Sequence, residues 1–184
     1  PFKMLNIDFD IINPYLPDQF DALIPVVGKS LIALNNLGIS KILIPNITIH
    51  EAVDKTPLGK DIKSKIIHPL DILNNNKIYK GYTNVCILGT YHTMSNPYIL
   101  EKSGLETKML PDIQMKRIED IRNEIYLGYG DLEKQSEFIN RVIIDNCDTL
   151  FIIACTELSL LSDYFVEKNN TIDLVNHQII RALH

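Results

Sequence analysis

The chain has 184 residues, of which 46% are hydrophobic and 22% charged, and its formal net charge is -5. This length suits a single domain or two small lobes around a sizeable core, and the composition is that of an ordinary globular protein. The acidic balance and the lack of a basic cluster argue against a phosphate-backbone binder, and no apolar run approaches the roughly 20 residues of a membrane span. Neither nucleic acid nor membrane is therefore expected as a partner. Cys86, Cys147 and Cys155 lack paired spacing, so neither a disulfide frame nor a zinc site is indicated. The opening residues carry no signal-peptide pattern, and the expected compartment is the cytoplasm.

In chain order, Phe2 to Ile12 alternates loosely and reads as a strand, until Pro14 and Pro17 interrupt it. A chain that opens on Pro and enters a strand almost at once reads as a trimmed piece of something longer. Asp18 to Leu37 places Phe20, Leu23, Ile24, Val27, Leu31, Leu34 and Leu37 on a helical stripe, with Asp18 as N-cap and Gly38 as the stop. Pro25 should kink that helix. Ser40 to Pro45 is a short strand, Lys65 to Leu70 an extended piece, and Asp71 to about Lys80 a helix capped by Asp71. Asn84 to Leu88 forms a core strand, helix signals resume after Ser95 and Pro97, and Glu106 to Leu110 is a further strand. Two helices follow, Asp112 to Leu127 and Asp131 to Asn146, separated by Gly128 and Gly130. Leu150 to Ala154 is a strand buried on both faces. A short helix, a weak extended segment at Asp163 to Val166 and a last helix from Leu174 complete the chain.

Alternating strands and helices predict an α/β fold with parallel sheets flanked by helices. Parallel strands bring their carboxyl ends to one side, where ligands bind in open sheets. Three strand exits carry polar residues: Asn46 to His50, Gly89 to Thr93, and Cys155-Thr156-Glu157. Each has a plain alternative. Cys155, Cys86 and Cys147 could be packing residues, Glu157 a helix-start charge, His50 and His177 helix-end groups, and His68 and His184 surface residues.

These residues carry a resemblance. From about Leu5 to Ala182 the chain resembles the aspartate/glutamate racemase family of cofactor-independent enzymes. There, one strand ends in Cys-Asn-Thr-x-His, a middle strand in a Gly/Ala-Thr-x-x-Thr turn, and a late strand in Cys-Thr-Glu. The counterparts here are Asn46-Ile47-Thr48-Ile49-His50, Gly89-Thr90-Tyr91-His92-Thr93 and Cys155-Thr156-Glu157, while Asp173 and His177 resemble the pair in the family's last helix. The resemblance implies two pseudosymmetric lobes around one site, here one unit over residues 1–184 with approximate lobes 1–75 plus 163–184, and 76–162. It implies an isomerase, a racemase or epimerase of aspartate or glutamate, with no cofactor and no metal. One cysteine takes the α-proton and another returns it from the opposite face.

Cys155, Thr48 and His50 are then the catalytic candidates, and Asn46, Thr90, Thr93, Thr156, Glu157 and His177 the substrate-binding ones. A small dicarboxylate or acidic amino acid is the expected partner. A homodimer fits the family's habit, though nothing in the sequence requires it. Two departures stand out: Asn46 occupies the place of the first catalytic cysteine, and the family's glycine-rich first strand has no counterpart before Phe2. They keep two alternatives open, a one-cysteine decarboxylase or isomerase of a small dicarboxylate, and an inactive relative that binds a carboxylate metabolite or protein partner.

Overall fold

A computed structural model describes residues 3–16, 18–75, 82, 84–96, 98–103 and 106–184. It divides into two compact units, Pro1–His68 and Pro69–His184.

The first unit opens with irregular chain and one helical turn, α1 (Phe9–Ile12). A strand was expected here. Asp8 instead starts a turn: its Oδ1 accepts the Asp10 N–H at 3.0 Å and its carbonyl accepts the Ile11 N–H at 3.1 Å, the local bonding by which Asp competes with extended backbone. Helix α2 (Phe20–Asn36) follows the predicted stripe, burying Phe20, Leu23, Val27 and Leu31, and it contains Pro25. Gln19 rather than Asp18 holds the cap position. Gly38 ends the helix at φ +70°, donating its N–H to the Asn35 carbonyl at 3.0 Å, a conformation that favours glycine.

The strand expected at Ser40 to Pro45 is reduced to one parallel bridge, Ile42 with Ile66. Ile42 N–H reaches the Lys65 carbonyl at 2.7 Å, and its own carbonyl accepts Ile67 N–H at 2.8 Å. Pro45, with no N–H to give, follows within three residues. Helices α3 (His50–Lys55) and α4 (Lys60–Lys63) complete the unit. Its core is α2's apolar face with Ile42, Ile49, Ala52, Val53, Ile62 and Ile66.

The second unit begins with α5 (Pro69–Asn75), which starts inside the piece expected to be extended and places Asp71 in its first turn rather than at its cap; the rest of the helix expected to Lys80 lies outside the described residues, as does Pro97. Strand β1 (Asn84–Leu88) leads to α6 (Tyr91–Ser95) and α7 (Tyr98–Ser103). The strand expected at Glu106 to Leu110 is one parallel bridge, Thr107 with Val85. Helices α8 (Asp112–Tyr126) and α9 (Leu132–Ile144) precede β2 (Thr149–Ile153) and α10 (Thr156–Ser159). Asp163 to Val166 is not extended: Ser162–Tyr164 forms a 3-10 turn. The pairing strand comes later, as β3 (Thr171–Asp173), and runs straight into α11 (Leu174–Leu183).

Among the described residues the sheet is parallel throughout, in the order β1-β2-β3, with Leu88 paired to Ile153 and Ile153 to Asp173. Cys86, Leu88, Phe151 and Ile153 face a core shared with α8 and α9. Their alternates Val85, Ile87, Leu150 and Ile152 point the other way and are buried as well, so the sheet is covered on both faces. Helix α11 packs on β2 and β3, which joins the last segment to this unit. No helix among the described residues is long and apolar enough to cross a membrane.

Candidate active site

The β1–β2 register sets the exits of both strands side by side. Ala154 N–H donates to the Leu88 carbonyl at 2.7 Å, and a Cβ at Gly89 would meet the Ala154 carbonyl oxygen at 3.8 Å. The turns Gly89 to Thr93 and Cys155 to Glu157 are therefore neighbours.

In the first of them, Thr90 caps α6: its Oγ1 accepts the Thr93 N–H at 3.1 Å and lies 2.9 Å from Thr93 Oγ1. Thr93 is buried and Thr90 half-buried. The second turn is built around a carboxylate. Glu157 Oε2 accepts from Cys155 Sγ at 3.0 Å and from Thr156 Oγ1 at 2.8 Å. Thr156 is exposed, Cys155 buried. The Cys155 carbonyl accepts Ser159 N–H at 3.0 Å and Ser159 Oγ at 3.1 Å, which seats the thiol at the helix start.

Helix α8 supplies two residues that the sequence reading missed. Arg122 Nη2 meets Glu119 Oε1 at 2.7 Å, and its Nη1 meets Glu157 Oε1 at 3.4 Å. Glu119 Oε2 accepts the backbone N–H of Tyr91 at 2.8 Å. The two strand exits are thus linked through Tyr91, Glu119, Arg122, Glu157 and Cys155. The only sequence signal was the Glu119–Arg122 spacing, a common helix-surface pair that says nothing of a thiol 33 residues on.

The electrostatics follow. Burial, then the negative charge of Glu157 and its hydrogen bond, push the Cys155 thiol up to about 12. Burial opposes ionisation of Glu157 too, yet the bonds from Cys155 and Thr156, with Arg122 beside it, hold its carboxyl below the ordinary range. Arg122 is disfavoured by burial, but its bond to Glu119 and the surrounding negative groups raise its pKa. At neutral pH the site therefore holds a protonated thiol facing a carboxylate, and a protonated thiol cannot itself take a proton. The family resemblance had implied a thiolate base.

The remaining candidates sit elsewhere. His177 is half-buried on α11, which packs against α10 and is capped by Asp173 through the Asn176 N–H at 3.0 Å. Asn46, Thr48 and His50 belong to the first unit. Asn46 is exposed and its Oδ1 accepts the Ile49 N–H at 3.3 Å, so its amide closes a turn; Thr48 is half-buried in that turn. His50 is fully buried, with Nε2 at 3.0 Å from the Ile44 carbonyl and its ring 4.7 Å from that of His68. Burial, then the nearby His68, lower its pKa to about 3. His68 is not a surface residue as expected: it is half-buried, 3.3 Å from Asp54. Cys86 is buried and pushed up to about 12 by desolvation, as its packing role predicts, whereas Cys147 is exposed. No cluster of three or more metal-ligating side chains occurs among the described residues.

No family model matches this sequence, and no curated protein does. Solved structures do. A candidate Asp/Glu racemase from Yersinia pestis is similar at 21% identity and a TM-score of 0.72, the match covering 97% of this chain and 82% of that one. An aspartate racemase homologue from Pyrococcus horikoshii is similar at 20% identity and a TM-score of 0.69, covering 98% and 82%. At this identity the likeness is one of fold: the chain has the aspartate/glutamate racemase fold.

Proposed function

We propose that the chain is an isomerase of the aspartate/glutamate racemase type, working at the α-carbon of an acidic amino acid without a cofactor. The observation that carries this reading is Cys155 at the exit of a central parallel strand, its Sγ 3.0 Å from the Glu157 carboxylate. Within a racemase fold, that pair supplies a proton carrier where a ligand reaches the sheet. On the Cys155 face the neutral thiol gives its proton to the α-carbanion, the S–H electron pair staying on sulfur. In the reverse direction that thiolate takes the α-proton, the electron pair remaining on carbon as a carbanion stabilised by the neighbouring carboxylate. Return of a proton on the opposite face completes inversion. His50 is buried with Nε2 taken up by Ile44, so water is the natural donor there. Thr90, Thr93 and Thr156 offer hydroxyls for the substrate carboxylates.

A second reading is favoured by the neutral thiol and by Asn46, which cannot act as an acid or a base near neutral pH. In it Cys155 protonates, on one face only, a carbanion formed by decarboxylation or isomerisation of a small dicarboxylate.

The test is proton exchange in deuterium oxide with L- and D-aspartate and glutamate, reading α-deuteration and enantiomer by chiral chromatography. The expected result is exchange with inversion that falls about 10²–10⁴-fold in Cys155→Ser, the usual weight of a positioned acid or base. Exchange without inversion supports the one-sided reading. No exchange with any of the four removes the racemase reading for these substrates.

A further inference from the structure

The link between the two strand exits runs through one guanidinium. Arg122 lies between Glu119 and Glu157, closer to the former, and only 17% of its side chain is exposed. Glu119 is fixed from the other side by the backbone of Tyr91. Glu157 in turn has one oxygen committed to Arg122 and the other to Cys155 and Thr156. A glutamate has three side-chain torsions and would leave a neutral thiol readily for water. Here its second oxygen is tied to a cation held in place by a second carboxylate. Charge-assisted bonds in a half-buried setting are stronger and more directional than neutral ones.

We propose that Arg122, anchored by Glu119, is a positioning residue that holds Glu157 against Cys155 and so governs when that thiol gives up its proton. This deepens the reading of Cys155 as the reacting thiol and rests on it. Of the other charged groups of α8, Asp112 pairs with Lys116 at 2.6 Å and Arg117 with Glu124 at 3.1 Å, while Asp120 is exposed. The other helix packed against the turn, α11, brings His177 and Arg181. Neither is among the groups that shift Cys155, where Glu157 is the charged side chain, but Arg122 and Cys155 also act on each other directly through their charges. The part of the Arg122 effect that passes through Glu157 is therefore read by comparing Glu157→Gln within each background, where the direct effect of Arg122 cancels.

A double-mutant cycle tests this without reference to turnover. The pH dependence of iodoacetamide alkylation at Cys155 is followed by mass spectrometry after cleavage on the N-terminal side of aspartate, which cuts before Asp148 and so parts Cys155 from Cys147 as well as from Cys86. In the wild-type protein, Glu157→Gln removes a like charge from beside the thiolate and lowers the alkylation midpoint by about one pH unit or more. In an Arg122→Met background the same change has little effect, because Glu157 has already left the thiol. Arg122→Lys, which keeps a cation between the carboxylates, restores most of the shift. Equal shifts from Glu157→Gln in the wild-type and Arg122→Met backgrounds overturn the proposal, as does a Glu157→Gln that moves nothing. Should Arg122→Met fail to fold, Glu119→Gln carries the same comparison: a reduced Glu157→Gln shift supports the anchor and an unchanged one overturns it. Because the readout is the thiol itself, the cycle can succeed in a protein that shows no exchange with any amino acid, which separates this inference from the proposed function.

Discussion

His50 has Nε2 on the Ile44 carbonyl and, among the described residues, no hydrogen-bond partner for its buried Nδ1. Its pKa is about 3 in the folded protein against 6.5 for an ordinary histidine. Between those values the unfolded chain binds a proton that the folded chain refuses, so protons favour unfolding. The contribution is whole above about pH 6.5 and shrinks as pH falls, by about 2 kcal/mol on reaching pH 5. Urea unfolding at pH 7 and pH 5 should show this loss in the wild-type protein, and His50→Gln, which does not titrate, should lose less by that amount. At this scale the sequence was uneven. Cys155, Thr156 and Glu157 were legible because three polar residues at the end of a buried strand need a reason to be there. Arg122 and Glu119 were not, since a contact 35 residues away, from Arg122 to Glu157, depends on how α8 lies against the strand exits and leaves no trace in local pattern.

Among the elements, α2, α8 and α9 could be read because each is long enough for its helical period to repeat, and β1 and β2 because each is a short continuous apolar run. β3 has three residues, too few to show any period, and it was missed. The opposite error came at Phe2 to Ile12, where loose alternation suggested a strand and an Asp side chain made a turn. Helix ends were more informative. Tyr129 N–H reaches the Glu124 carbonyl at 2.9 Å and Gly128 N–H the Ile125 carbonyl at 3.0 Å, the paired bonds of a glycine-terminated helix. Gly128 has φ +75° and open space around it, so the cost of a side chain there is backbone strain alone. Gly128→Ala is expected to cost about 1–2 kcal/mol, seen as a lower urea midpoint with an unchanged slope.

For the molecule as a whole, the relevant fact is that each unit closes its own core. The second contains the three-stranded sheet, both neighbouring strand exits and the full Cys155–Glu157–Arg122–Glu119 network. Residues 69–184 alone are expected to unfold cooperatively in urea and to keep Cys155 slow towards alkylation while exposed Cys147 reacts freely. A fragment without a cooperative transition, or with both thiols equally reactive, would mean that this core is not self-sufficient. Within the same unit, Asp173 is both the last residue of β3 and the cap of α11. No loop lies between strand and helix to take up slack. A residue inserted or deleted at that joint has two outlets: β3 slips by one place and turns its faces over, or α11 rotates by about 100° on its axis and carries His177 to another side. Homologous chains should therefore tolerate length changes almost anywhere on this surface before they tolerate one there.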